Sequence, residues 1–116
     1  MTIILISHVI NVLVAGGIAL LLFKNSPKMT VVYGEVTPAR AILSSVYFAI
    51  AVTSTIALLF PTYSVAIASV LFPLQILYKL STGITVGKLT HPVVISNFVI
   101  SIIHAVSLLV IFKDTL

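Results

Sequence analysis

The stretch that decides the fold is Pro92–Phe112, PVVISNFVISIIHAVSLLVIF, which contains no charged residue. About 20 apolar residues in succession are enough for a helix to cross the hydrocarbon core of a bilayer. Asn97, Ser101 and His104 follow one another at spacings of four and three, so they share one face of that helix. Polar side chains facing lipid would lose water without replacement, so we expect this face to pack against other helices.

Three further apolar runs precede this stretch, and together the four predict an all-α integral membrane protein. The predicted helices cover about residues 2–23, 38–60, 62–80 and 92–112. Only Pro61 and its neighbours separate the second run from the third, so those helices are expected to be antiparallel neighbours. The sequence therefore predicts a single transmembrane domain, residues 1–116, folded as a four-helix up-and-down bundle.

The composition supports a membrane protein and excludes several other classes. Of the 116 residues, 60% are hydrophobic and 7% are charged, whereas soluble domains have roughly 25% charged residues. The formal net charge is +4, and its cations flank the apolar runs, where anionic lipid headgroups account for them. Cysteine is absent, so no disulfide framework or thiolate metal site is present. We expect a lipid bilayer that includes anionic lipids as a partner, and no nucleic acid.

The cations are divided unevenly between the two sides of the predicted bundle. Segments 24–40 and 79–91 contain five of them, and the opposite side has only Lys113; the five are Lys24, Lys28, Arg40, Lys79 and Lys88. Cytoplasmic loops of membrane proteins are enriched in lysine and arginine. The distribution therefore predicts that both segments are cytoplasmic and that both termini are extracytoplasmic.

Small residues recur at every fourth position along the second predicted helix. We call this set the small-residue ridge: Ala41, Ser45, Ala49, Thr53 and Ala57. Small side chains let helix backbones approach closely in a membrane, where no hydrophobic effect drives helices together. The ridge therefore predicts a helix-packing surface, and Gly16 and Gly17 predict a second one in the first helix. A neighbouring polar stripe is also expected to face protein: Arg40, Ser44, Tyr47 and Ser54.

The acidic residues of the chain do not form a catalytic set. Glu35 and Asp114 are the only ones, and about 30 Å of hydrocarbon is predicted to separate them. The sequence also lacks a phosphate-binding glycine loop, a serine elbow and a His-Glu pair on a helix. We therefore predict that the protein is not an enzyme and has no catalytic and no metal-ligating residues.

Two histidines on different helices are the strongest candidates for a ligand site. His8 shares a helix face with Asn11, and its predicted depth differs from that of His104 by only about 5 Å. Two histidines at similar depth can hold a haem iron or copper, relay a proton, or bind a quinone. The alternative is a structural cluster of His8 and Asn11 against Ser101 and His104. We favour the structural cluster, so no cofactor is predicted, with haem and quinone as alternatives.

The segment before the second helix resembles that of a known family. Tyr33-Gly34 and Pro38-Ala39-Arg40, in a four-helix layout, resemble the small DoxX-like membrane proteins. The resemblance implies a four-helix membrane fold and no particular activity.

The function that these observations favour is that of a non-catalytic accessory or scaffold subunit of a larger membrane protein complex. Small size, the lack of a catalytic set and two packing surfaces support this prediction. Its partners would be other membrane subunits or further copies of the chain. One alternative is a small homo-oligomeric transporter or channel that uses His8, Asn11, Asn97 and His104. Another is a redox subunit that contacts haem or quinone.

Overall fold

A computed structural model describes residues 1–113, and within that range the chain is helical without strands. We number the helices in chain order: α1 (Thr2–Phe23), α2 (Pro27–Tyr33), α3 (Pro38–Leu59), α4 (Ser64–Thr85) and α5 (Pro92–Phe112). A 3₁₀ turn, Pro61–Tyr63, leads into α4. Helices α1, α3 and α5, and α4 with this turn, are long and apolar enough to cross a membrane, with mean hydropathies of 2.3, 2.0, 2.4 and 1.5. The prediction of four such helices is confirmed.

Helix α1 contains a π-helical stretch, Asn11–Ala15, between the α-helical segments Thr2–Ile10 and Gly16–Phe23. A π-helical turn holds more residues than an α-helical one, so it changes the direction in which the following side chains point. Asn11 is the first residue of this stretch and is buried. The hydrophobic pattern of the run gives no sign of the irregularity.

Helix α2 occupies part of the connection that follows α1, where no helix was predicted. It begins at Pro27 and ends at Tyr33, and the following Gly34 has a φ of 84°, which suits a residue without Cβ. The buried side chain of Arg40 attaches α2 to the start of α3, since its Nη1 donates to Thr30 Oγ1 at 3.1 Å and to the Gly34 carbonyl at 2.7 Å. The short helix is thereby held against the long ones.

Helix α4 extends about one turn beyond the predicted end at residue 80. It passes through Pro73 and continues to Thr85. The hydroxyls of Ser81 and Thr82 donate back to the carbonyls of the preceding turn. Gly83 lies against the ring of Phe98, where an added Cβ would come within 2.8 Å of Cζ. These local hydrogen bonds and the packing of α5 keep the segment helical, so the last connection shortens to residues 86–91.

Most of the small-residue ridge lies on the outside of α3. Ala41, Ser45 and Ala49 are exposed, Thr53 is half-buried, and only Ala57 is enclosed. The polar stripe beside the ridge is buried instead. Within this chain the ridge therefore packs only towards its Ala57 end. A packing role for its exposed members requires a second chain.

The two glycines of α1 differ in their surroundings. A Cβ added at Gly16 would lie 3.5 Å from Cβ of Ala51, so this glycine faces α3 at ordinary contact distance. At Gly17 an added Cβ would have no neighbour within 4 Å. Of the two glycines, only Gly16 therefore packs against another helix.

The long helices enclose a centre in which Phe72 is fully buried. The Ser64 hydroxyl lies 3.6 Å from Sδ of Met1, so the chain start is beside the turn between α3 and α4. At the far end, Val86 and His91 line a cavity together with Val32, so the connection after α4 lies beside α2. The outer faces of the long helices carry large apolar side chains, such as Leu13, Ile42, Leu77 and Ile102, each more than 60% exposed.

Candidate functional site

Polar side chains from all four long helices meet in the interior, and we call this group the central cluster. Its members are His8 and Asn11 of α1, Ser54 of α3, Ser64 and Gln75 of α4, and His104 of α5, and all of them are buried. Burying polar groups without partners is costly. The contribution of the cluster to stability therefore depends on how completely its hydrogen bonds are formed.

Asn11 is the hub of the central cluster. Its Nδ2 donates to Ser54 Oγ at 3.0 Å and to Gln75 Oε1 at 2.8 Å. Its Oδ1 accepts from Gln75 Nε2 at 3.0 Å and from His104 Nε2 at 3.0 Å. A side-chain amide has two donor hydrogens and two acceptor lone pairs. All four hydrogen-bonding positions of Asn11 are occupied by side chains of three other helices.

The hydrogen bonds of His8 define which ring nitrogen carries its proton. His8 Nε2 lies 3.1 Å from the Ser64 carbonyl oxygen, which only accepts, so Nε2 is the donor. His8 Nδ1 is then the acceptor for the hydroxyl of Ser54 at 3.2 Å. Ser54 Oγ in turn accepts from Asn11. The neutral imidazole of His8 therefore has both nitrogens satisfied, and neither has a lone pair free for a metal ion.

His104 is held differently from His8. Its Nε2 donates to Asn11, so Nδ1 carries the lone pair, and this buried nitrogen has no hydrogen-bond partner. The ring of Phe72 stacks on the His104 ring at a centroid distance of 4.4 Å and an interplanar angle of 5°. The His8 ring meets the same phenyl ring at 4.8 Å. Phe72 thus contacts both imidazoles.

A second polar site surrounds Lys79, which is 4% exposed. Its Nζ donates to Asn97 Oδ1 at 3.2 Å, and Asn97 Nδ2 donates to Thr82 Oγ1 at 3.1 Å. The ammonium lies 5.1 Å from the ring centroid of Tyr78 and 6.0 Å from that of Tyr47, distances at which a cation is attracted to an aromatic face. In residues 1–113 the only side-chain carboxylate belongs to Glu35, which is exposed. All of these partners of Lys79 are neutral.

Two adjoining cavities lie beside Lys79, and we call them together the Lys79 cavity. The cavity that Lys79 itself lines has a volume of about 160 Å³. The neighbouring cavity measures about 310 Å³ and includes Tyr78 in its wall. Both are lined by Tyr33, Tyr47 and Asn97. Val32 and Tyr33, the last two residues of α2, also line both cavities.

Tyr33 connects α2 to α3 beside these cavities. Its hydroxyl lies 3.2 Å from that of Tyr47, and the two rings meet edge to face at 6.0 Å. Burial raises the pKa of the Tyr33 phenol above its usual value, and the neighbouring Tyr47 raises it further. The phenol therefore stays protonated and neutral at physiological pH.

Comparisons of the chain with models of protein families, with curated proteins and with solved structures found no significant match. The resemblance to DoxX-like proteins therefore stays a prediction. The geometry of the buried polar residues is left as the basis for a functional argument.

The structure brings together three of the four residues predicted to form a ligand site. His8, Asn11 and His104 belong to the central cluster, with Asn11 as the link between the two histidines. Asn97 lies seven residues from His104 along α5, about 10 Å at the helical rise, and binds Lys79 instead. Ser101, expected to join the cluster, is buried with no partner for its hydroxyl.

Sequence reasoning did not select Gln75, Lys79 or Ser64 as site residues. The signal for Gln75 and Lys79 was their polarity within or next to an apolar run, because such residues face protein in membrane helices. Ser64 takes part through its backbone carbonyl, which no side-chain pattern reports. Within residues 1–113, no group of three or more histidine or acidic side chains is placed to hold a metal ion.

Proposed function

We propose that this chain is a non-catalytic, multi-pass membrane protein that serves as an accessory or scaffold subunit of a larger membrane protein complex. The observation that carries the proposal is the outward position of Ala41, Ser45 and Ala49. They form a strip of small side chains that the fold of the chain does not itself use. Such a strip suits close contact with a helix of another subunit.

The membrane arrangement that goes with this proposal is an up-and-down bundle of α1, α3, α4 and α5. Two contacts support it. The chain start lies beside the turn between α3 and α4, and the connection after α4 lies beside α2. Large apolar side chains on the outer faces support contact with lipid, since soluble proteins rarely expose contiguous apolar patches of this extent.

The central cluster supports a structural role for its polar residues. Each amide and imidazole bond within it joins two different helices, so the cluster fixes which helix faces meet. Membrane hydrogen bonds of this kind contribute about 0.6 kcal/mol each on average. Their number and their mutual geometry hold α1 against three other helices. A scaffold needs such a rigid interior, because its outer surface must keep one shape for its partner.

A small homo-oligomeric transporter or channel is the second candidate, and one observation favours it. Buried polar residues continue through the interior from Ser64 and His8, through Gln75, to Lys79. Ionisable residues at membrane depth often belong to ion or proton pathways. A bis-histidine haem site fits less well, because Phe72 contacts both rings and His8 has no free lone pair.

Mild solubilisation of native membranes, followed by affinity capture of the tagged chain, tests the proposal. We expect larger membrane subunits to be captured in fixed ratio with the chain. Capture of a homo-oligomer alone would favour the transporter or channel. A Soret absorption band in the captured material would favour the redox subunit. An isolated monomer would contradict all three.

A further inference from the structure

We propose that the Lys79 cavity binds a single-chain anionic amphiphile, with its carboxylate or phosphate at the ammonium of Lys79 and its acyl chain against the apolar walls. This inference rests on the proposed membrane location of the protein. It does not depend on a role as an accessory subunit.

The charge of Lys79 is the first reason. The side chain is 4% exposed, and its ammonium has an amide oxygen and two ring faces as partners. Taking a charge out of water is costly unless an opposite charge accompanies it. No carboxylate of residues 1–113 occupies that position, since Glu35 is exposed. An anionic headgroup would supply the missing counter-charge.

The hydrogen-bonding groups left open in the cavity are the second reason. An ammonium has three donor hydrogens, and Asn97 accepts one from Lys79. Tyr78 lines the larger cavity, and its buried hydroxyl, which lies near Gln75, makes no hydrogen bond of normal geometry. Both residues therefore have donors to offer. A ligand group with acceptors only, such as a carboxylate or a phosphate, matches this set.

The walls of the cavity are the third reason. Apart from the polar residues already named, they are largely apolar and include Val14, Ile18 and Ile100 on one side and Leu43 and Val86 on the other. The larger volume, about 310 Å³, is at the lower end of the roughly 300–1,000 Å³ typical of ligand pockets. An acyl chain fits such walls, whereas a free inorganic anion would leave them uncovered.

The test compares ligands that share one chain but differ in their headgroup. Native mass spectrometry of the purified chain in a neutral detergent would be recorded with a 16-carbon fatty acid, its primary alcohol, a lysophosphatidate of equal chain length, and inorganic phosphate. We expect the fatty acid, the lysophosphatidate or both to bind at least about tenfold more tightly than the alcohol, because a charge-assisted hydrogen bond is lost with the alcohol. The stronger of the two acids identifies the headgroup.

Matched variants locate the site. Lys79→Met should reduce binding of the acid about tenfold or more, to the level of the alcohol. Lys88→Met removes an exposed lysine from the connection after α4 and should leave binding unchanged. Tyr78→Phe should weaken binding by a smaller factor, since it removes one neutral donor.

Several outcomes would overturn the proposal. Equal binding of acid and alcohol would remove the charge argument, and undiminished binding to a folded Lys79→Met would place the ligand elsewhere. Full competition by inorganic phosphate would remove the acyl chain from the proposal. If circular dichroism shows that Lys79→Met is unfolded, the acid-to-alcohol ratio in the wild type and the Tyr78→Phe variant still decide. An isolated monomer that binds the acid would contradict the three candidate functions given above and would support the amphiphile site.

Discussion

At the scale of single residues, the interior of this protein is organised by one amide. Asn11 makes four hydrogen bonds to residues of α3, α4 and α5, and it is the first residue of the π-helical stretch of α1. Polar groups in a membrane interior have no water to replace a lost partner. Changes at Asn11 should therefore affect several helices at once.

Replacing Asn11 by leucine should lower the free energy of unfolding by about 2 kcal/mol, because four membrane hydrogen bonds of about 0.6 kcal/mol each are lost. Ser101→Ala is the matched control, since it removes a buried hydroxyl that has no partner. The control should stay within about 0.5 kcal/mol of the wild type. Both are measured by reversible unfolding in mixed micelles. Equal effects would show that Asn11 is not the hub.

Replacing His104 by glutamine should leave the bundle folded and its partners bound, because an amide N–H can still donate to Asn11. We expect a change in stability below about 1 kcal/mol. Unfolding in micelles and co-purification measure the two effects. His8→Gln is measured in the same way, because the ring of His8 is hydrogen-bonded at both nitrogens. A cofactor absorption spectrum that is present in the wild type and lost in both variants would contradict the structural role.

At the scale of elements, α3 presents two faces, and its sequence pattern alone does not show which of them is buried inside the chain. The polar stripe is buried and the small-residue ridge is mostly outside. Both recur with helical spacing, so either was a reasonable packing surface. In the proposed membrane location, lipid would offer the polar groups of the stripe no hydrogen-bond partners, which accounts for their enclosure. The exposed part of the ridge is left free for another chain.

Replacing Ala49 by leucine should reduce assembly with partner subunits without affecting the isolated chain. A leucine at this exposed position would keep a second backbone at a distance, whereas it would touch nothing inside the bundle. Co-purification yield and the unfolding midpoint of the isolated chain measure the two effects. Val46→Leu, at a position that is also exposed, should change neither. A loss of stability in the isolated Ala49→Leu chain would mean that the ridge packs internally.

At the scale of the whole molecule, the cation distribution still predicts the orientation in the membrane after burial is taken into account. Arg40 and Lys79 are buried, so they no longer count as loop charges. Lys24, Lys28 and Lys88 remain exposed on the side of α2, against Lys113 on the other side. Exposed cations therefore still outnumber those of the other side on the side of α2, as they do when all six cations are counted. This distribution favours a cytoplasmic location for α2.

Cysteine labelling of intact cells tests this orientation, and the chain has no native cysteine to interfere. An impermeant maleimide should label Thr62→Cys, in the turn between α3 and α4, because that turn is predicted to be outside. Ser26→Cys and Leu89→Cys should react only after the membrane is permeabilised. Labelling of either from outside, with Thr62→Cys protected, would reverse the proposed topology.

The amino-acid sequence by itself determined four apolar helices and several of their ends. Helix starts at Pro38 and Pro92 are confirmed, as is the burial of the polar stripe of α3. Each of these depends on local chemistry: uninterrupted apolar length, a proline at the first helical position, and polar residues that must avoid lipid.

Only the tertiary structure decided which polar side chains meet. Helical spacing shows that Asn97 and His104 share a face, but not that one binds Lys79 and the other Asn11. The π-helical stretch, the extra turn of α4 and the outward ridge were equally hidden. The physical reason is that a hydrogen bond requires its two atoms within about 3 Å. Whether they are so close depends on the depth and rotation of both helices relative to each other. The sequence of one helix alone determines neither its depth nor its rotation.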